Sequence, residues 1–132
     1  MADSTAERLK TLRNGLLRLH KSLLDSERAL YERDVQRITS TGQYLGLVLE
    51  DPWFSWLREL SQFIVMVDET LDLEEPVTPA DADRLIGEAR GLLSPTEGAP
   101  GFTGKYYEIM QRDPNAVLAH SDMMHVFVGL AP

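Results

Sequence analysis

Between residues 4 and 38 the chain has no proline and a single glycine, Gly15. Leu9, Leu12, Leu16, Leu19, Leu23, Leu24, Leu30, Tyr31 and Ile38 recur through this stretch. At about 100° per residue they fall on one broad arc. The stretch therefore reads as one long amphipathic helix over residues 4–38. It opens on the capping box Ser4-x-x-Glu7, in which each side chain takes a backbone N–H that the first turn leaves unpaired. A helix of this length is held mainly by burial of its apolar arc, not by its own propensity. The rest of the chain must supply a surface long enough to cover it.

That remainder reads as more helices. Ser40 and Gln43 form a second capping box, opening a helix over residues 41–50. Asp51-Pro52 follows, and aspartate is a favoured N-cap while proline is a favoured first helical residue. A residue before proline avoids the α region, so one helix ends here and another starts at an angle, over residues 52–73. Thr78-Pro79 opens a helix over residues 78–93 by the same logic, and the loop SPTEGAPGFTG breaks it. A helix over 103–112 meets Asp113-Pro114, which repeats the bend before a last helix over 114–129. Tyr44 and Tyr106 each precede their Asp-Pro by seven residues, and Gly42 and Gly104 sit at matching offsets. This is one local solution used twice, not a duplication. Joined across the bends, the helices make four arms, 5–38, 41–73, 79–93 and 103–130. The expected fold class is all-α: an irregular four-helix bundle with a long first helix and two Asp-Pro bends, with residues 1–132 as a single helical domain.

The formal net charge is −8, unevenly spread. Residues 1–40 hold eight bases and six acids, net +2, and residues 41–132 hold five and fifteen, net −10. Phosphate would be repelled by most of this surface, so no nucleic-acid partner is expected. Arg8, Lys10, Arg13, Arg18 and Lys21 are the one basic footprint, and Asp68, Glu69, Asp72, Glu74, Glu75, Asp81 and Asp83 are its acidic counterpart. These ends meet either within one chain or between the subunits of a dimer. The absence of cysteine removes thiol catalysis, Cys-ligated zinc and disulfides. The N-terminal run lacks an apolar signal region, and the apolar run 63–67 is too short to span a bilayer, so a cytoplasmic protein with no membrane partner is expected.

Both tryptophans lie in EDPWFSWLREL, residues 50–60. Trp53, Trp56, Leu57, Leu60, Phe63, Ile64, Val67 and Leu71 share a helical face, with Phe54, Val65 and Met66 on its flanks. An arc this wide suggests a central helix covered on most of its surface. On the structural reading Asp51 caps, Pro52 bends and the tryptophans anchor the core. On the functional reading Trp53, Phe54 and Trp56 form an exposed interaction patch.

Polar residues stand inside the arc of the first helix: Arg13, His20, Glu27 and Asp34 recur at every seventh position. Buried charges are costly unless paired. His120 falls on an apolar face with Val117, Met124, Phe127 and Val128. One reading gathers His20, Glu27 and His120 into a pocket for a small ligand, a metal or acid–base work. The other pairs these charges with neighbouring arms or leaves them in water. Asp122-x-x-His125 has the carboxylate-x-x-His spacing of ferritin-like di-metal bundles, making those two residues weak metal candidates. Such bundles need a second pair, which is lacking, and His120 and His125 lie about 140° apart on a helix, badly placed to chelate one ion. No nucleophile elbow, P-loop, dinucleotide fingerprint or zincin motif occurs, and no cofactor is expected. Gly98, Gly101 and Gly104 follow no strand and read as loop glycines. The acids of 68–75 lack the ordered ligand spacing of a calcium loop and read as a solvated helix end.

The runs LLRLHKSLLDSERALYER (16–33), DPWFSWLRELSQFIVMVDE (51–69) and QRDPNAVLAH (111–120) resemble a group of small bacterial all-helical proteins over most of the chain. That group has no established function, so the resemblance implies a bacterial cytoplasmic setting but no activity and no site residue. The expected function is a non-enzymatic helical bundle acting through protein–protein contacts, as a homodimer or with another protein. The alternative is a ligand- or metal-binding bundle built on His20, Glu27 and His120.

Overall fold

The computed structural model describes residues 2–130, with side chains from Thr5 onward, and the Ser4 cap lies outside them. Among the described residues the fold is all-helical, in seven helices: α1 Ala2–Asp34, α2 Thr41–Glu50, α3 Pro52–Ser55, α4 Arg58–Asp72, α5 Pro79–Leu92, α6 Phe102–Arg112 and α7 Pro114–Leu130. At 1.5 Å per residue α1 is about 50 Å long. It packs mainly against α7, α4 and α5. Leu9, Leu12, Leu16, Leu19 and Leu23 of its arc are buried in the main core with Leu60, Ile64, Val67, Leu85, Phe102 and Phe127. Tyr31 and Ile38 enter a second, smaller core with Phe54, flanked by Tyr44, Leu47, Val48 and Trp53.

The caps read from the sequence form. Ser40 Oγ accepts from Gln43 N at 3.0 Å, and Gln43 reaches back to the Thr39 N–H at 2.8 Å. Thr78 Oγ1 accepts from Asp81 N at 3.1 Å. At each Asp-Pro bend the aspartate N–H closes the preceding helix and its carboxylate opens the next. Asp51 donates to Leu47 O at 2.9 Å and accepts from Trp53 N at 2.8 Å. Asp113 donates to Ile109 O at 3.0 Å and accepts from Asn115 N at 2.9 Å.

Five expectations need correction. The first helix ends at Asp34, not at residue 38, and residues 36–40 belong to no helix, with Ser40 in an extended conformation. Val35, Ile38 and Thr39 are β-branched and favour extended backbone, and leaving the helix lets Ile38 turn back into the second core at 5% exposure. The helix expected over 52–73 is broken at Trp56-Leu57. The break lets Phe54 point into the second core while Leu57 and Leu60 point into the main one. Phe54 is therefore core, not flank, and α4 is not enclosed, because Val65 and Met66 stay exposed. On α7 the buried face is Ala116, Met123, Phe127 and Leu130, while Val117 and Val128 face outward. That helix is apolar nearly all round, so its periodicity did not single out an inner face.

The glycine-rich loop has distinct local demands. Gly98 and Gly101 adopt positive φ, 75° and 72°, which turns the loop back over α6. Gly104 lies inside α6, where a Cβ would run into the backbone carbonyl of Ala99. We expect Gly104→Ala to cost about 1–3 kcal/mol through overpacking. Gly87→Ala, on the exposed face of α5 with open space around it, should add about 0.5–1 kcal/mol. Urea midpoints of the two variants at unchanged slope check both signs.

Candidate functional site

Both Asp-Pro corners are fastened to one turn of α1. The Trp53 indole donates to the main-chain oxygen of Glu27 at 3.2 Å. The Ser26 hydroxyl donates to the Asp113 carboxylate. The Arg112 guanidinium, one residue before that corner, donates to the Glu27 carboxylate in an ion pair. Glu27 is 4% exposed. Burial pushes its pKa above the ordinary value, against the opposing pull of Arg112 and Lys105.

Between the corners lies a cleft of about 270 Å³. Glu27 and Leu30 contribute from α1, Pro52, Trp53 and Trp56 from the first corner, and Lys105, Glu108 and Arg112 from α6. Lys105 and Glu108 pair at 3.4 Å. An aromatic chain leads away from the cleft: the Trp56 ring meets Phe102 at 5.3 Å, and Phe102 stacks on Tyr106 at 5.4 Å. The Tyr106 hydroxyl lies 2.6 Å from His120 Nδ1. Burial raises the phenol pKa and lowers that of the imidazole, so it favours the neutral form of both groups that this hydrogen bond joins.

The sequence-derived site residues are distributed as follows. Glu27, Trp53 and Trp56 share this cleft, while Phe54 is 1% exposed in the second core and belongs to no surface. His120 bonds Tyr106 instead of Glu27. His20 is half-buried on α1, where burial lowers its pKa, and neither histidine lines the cleft. Asp122 and His125 are exposed, and His125 Nδ1 donates to Ser121 O of its own helix at 3.0 Å. Among the described residues no three His, Asp or Glu side chains are grouped to hold a metal ion. The other charges of the heptad series find partners: Arg13 pairs with Asp68 at 3.2 Å, and Asp34, exposed, pairs with Arg33 at 2.7 Å.

Sequence reasoning missed Arg112, Lys105 and Glu108. One signal was present: residues 41–132 hold only five bases, and one of them, Arg112, sits immediately before a bend. No protein-family model, curated protein or solved structure matches the chain.

A carboxyl whose pKa is raised by folding keeps its proton in the native state at pH values where the unfolded chain has released it. The stability contributed by Glu27 then falls as pH rises above its ordinary value of 4.5. Wild type should lose stability relative to Glu27→Gln over that rise, and a pH-independent difference in urea midpoints would contradict the shift. Arg112→Ala leaves the buried carboxylate uncompensated. Because the Arg112 side chain is 39% exposed, we expect a loss of about 2–4 kcal/mol, below that of a fully buried pair.

Proposed function

We propose that this chain is a non-enzymatic helical protein that works through protein contacts, with a second copy of itself as partner and α2 as the contacting element. The observation that carries this is that α2, with the sequence TGQYLGLVLE, buries no residue. Tyr44, Leu47 and Val48 pack against the second core. Leu45 and Leu49 point outward, 57% and 60% exposed. With Gly42 and Gly46 they form one stripe at i, i+3, i+4 and i+7, and nothing lies within 4 Å of a Cβ built on either glycine. A helix apolar on both faces belongs in an interior.

Charge argues for a second copy. With a net charge of −8, two copies repel except through an uncharged surface. Residues 38–49 are the longest stretch without a charged residue, and a two-fold contact places a patch against itself. The segregated charge of residues 8–21 and 68–83 gives no support to an intersubunit contact, since Arg8 reaches Asp83 at 3.1 Å and Arg13 reaches Asp68 within one chain. An α2 pair is small against the roughly 1,200 Å² of a stable interface, so the dimer is expected to be weak.

One coarser finding frames this reading. No described helix is long and apolar enough to cross a membrane. The packing of α1 with α4, α5 and α7 supports an irregular four-helix bundle, with α2, α3 and α6 at its corners. A bacterial cytoplasmic setting belongs to the same proposal, on the resemblance carried by the DPWFSWLREL run.

Sedimentation equilibrium across the micromolar range should show a concentration-dependent dimer that strengthens with added salt, because salt screens the repulsion of like-charged copies. Leu45→Glu with Leu49→Glu should give a monomer with unchanged helicity. A wild type that stays monomeric at the highest concentration sinks the proposal.

A further inference from the structure

We infer that the cleft between the two Asp-Pro corners binds a small organic anion, a carboxylate carried on a flat apolar body. Its volume of about 270 Å³ is just under the usual range for ligand pockets and suits one ring with a head group. Trp53, Trp56 and Pro52 form one wall, and indole faces offer large apolar contact to a planar ring.

The sign of the ligand follows from which polar atoms remain open. The Glu27 side chain is 6% exposed and already receives Arg112. It is therefore not available to accept from a ligand. The Arg112 and Lys105 side chains are 39% and 57% exposed. A guanidinium has five N–H donors and an ammonium three, and the cleft contacts named above leave most of them unused. Donors are thus in surplus on the open side, and a guanidinium matches a carboxylate in a two-pronged geometry. Glu27, behind Arg112, acts as a positioning residue that fixes the fork before a ligand arrives. Glu108 is the exposed carboxylate of the lining, and it competes with the ligand for Lys105.

This site is independent of the proposed dimer contact, since none of its lining residues lies on α2. It also departs from a pocket built on His20 and His120, neither of which lines it.

The readout is built in, because the chain's two tryptophans both line the cleft. Intrinsic fluorescence of the full chain would be titrated with sodium phenylacetate, with benzylamine as the same ring of opposite charge and acetate as the head group alone. We expect a saturable change with phenylacetate and binding of both controls at least about tenfold weaker, the value of one charged hydrogen bond. Arg112 variants risk unfolding, so the test uses the exposed residues. Lys105→Met should weaken phenylacetate about tenfold, and Glu108→Gln should tighten it by freeing Lys105. Leu45→Glu with Leu49→Glu should leave it unchanged, which separates this site from the dimer. No saturable change with phenylacetate, tighter binding of benzylamine, loss of affinity in Glu108→Gln, or indifference to Lys105→Met would each overturn the assignment.

Discussion

The arrangement depends on one buried carboxylate and the groups that satisfy it. Taking Glu27 out of water is expensive, and the cost is offset because its carboxylate receives the Arg112 guanidinium. The same residue's main-chain oxygen holds Trp53, and its neighbour Ser26 holds Asp113. Two corners far apart in sequence are thereby fixed to one turn of α1. The path of the chain into α4 and into α7 is set relative to the long helix at that point.

The corners also divide the interior. Asp51-Pro52 and the break at Trp56-Leu57 send Phe54 one way and Leu57 the other. The tryptophans between them remain half-buried and wall the cleft. In the stretch EDPWFSWLREL, the capping role of Asp51 and the cleft-lining role of the tryptophans therefore coexist. The rigid corner that closes α2 is what holds two indoles at a surface opening.

Much of the local structure was legible from neighbours in the chain. Ser40, Asp51, Thr78 and Asp113 cap where their side chains and the following residues say they should, because each cap closes over two or three residues. Glu27 was legible as an anomaly, a charge inside an apolar arc. Its partner was not, because Arg112 is distant in sequence and no local rule links them. The two histidines stood out for the same reason as Glu27, yet His120 is satisfied by Tyr106 on the adjacent helix. The end of α1 was misplaced because Ile38 continues the periodicity of the arc while packing from a non-helical segment.

By itself, the sequence determined the helical class, the long first helix, most helix starts and both bends. These rest on hydrogen bonds and backbone preferences that span a few residues. Only the tertiary structure decided which face of α7 lies inward, which base neutralises Glu27, and that Arg8 and Arg13 meet Asp83 and Asp68 within one chain. Those choices turn on packing between helices, where an all-round apolar helix or an unpaired charge is compatible with several partners until the chain closes around one.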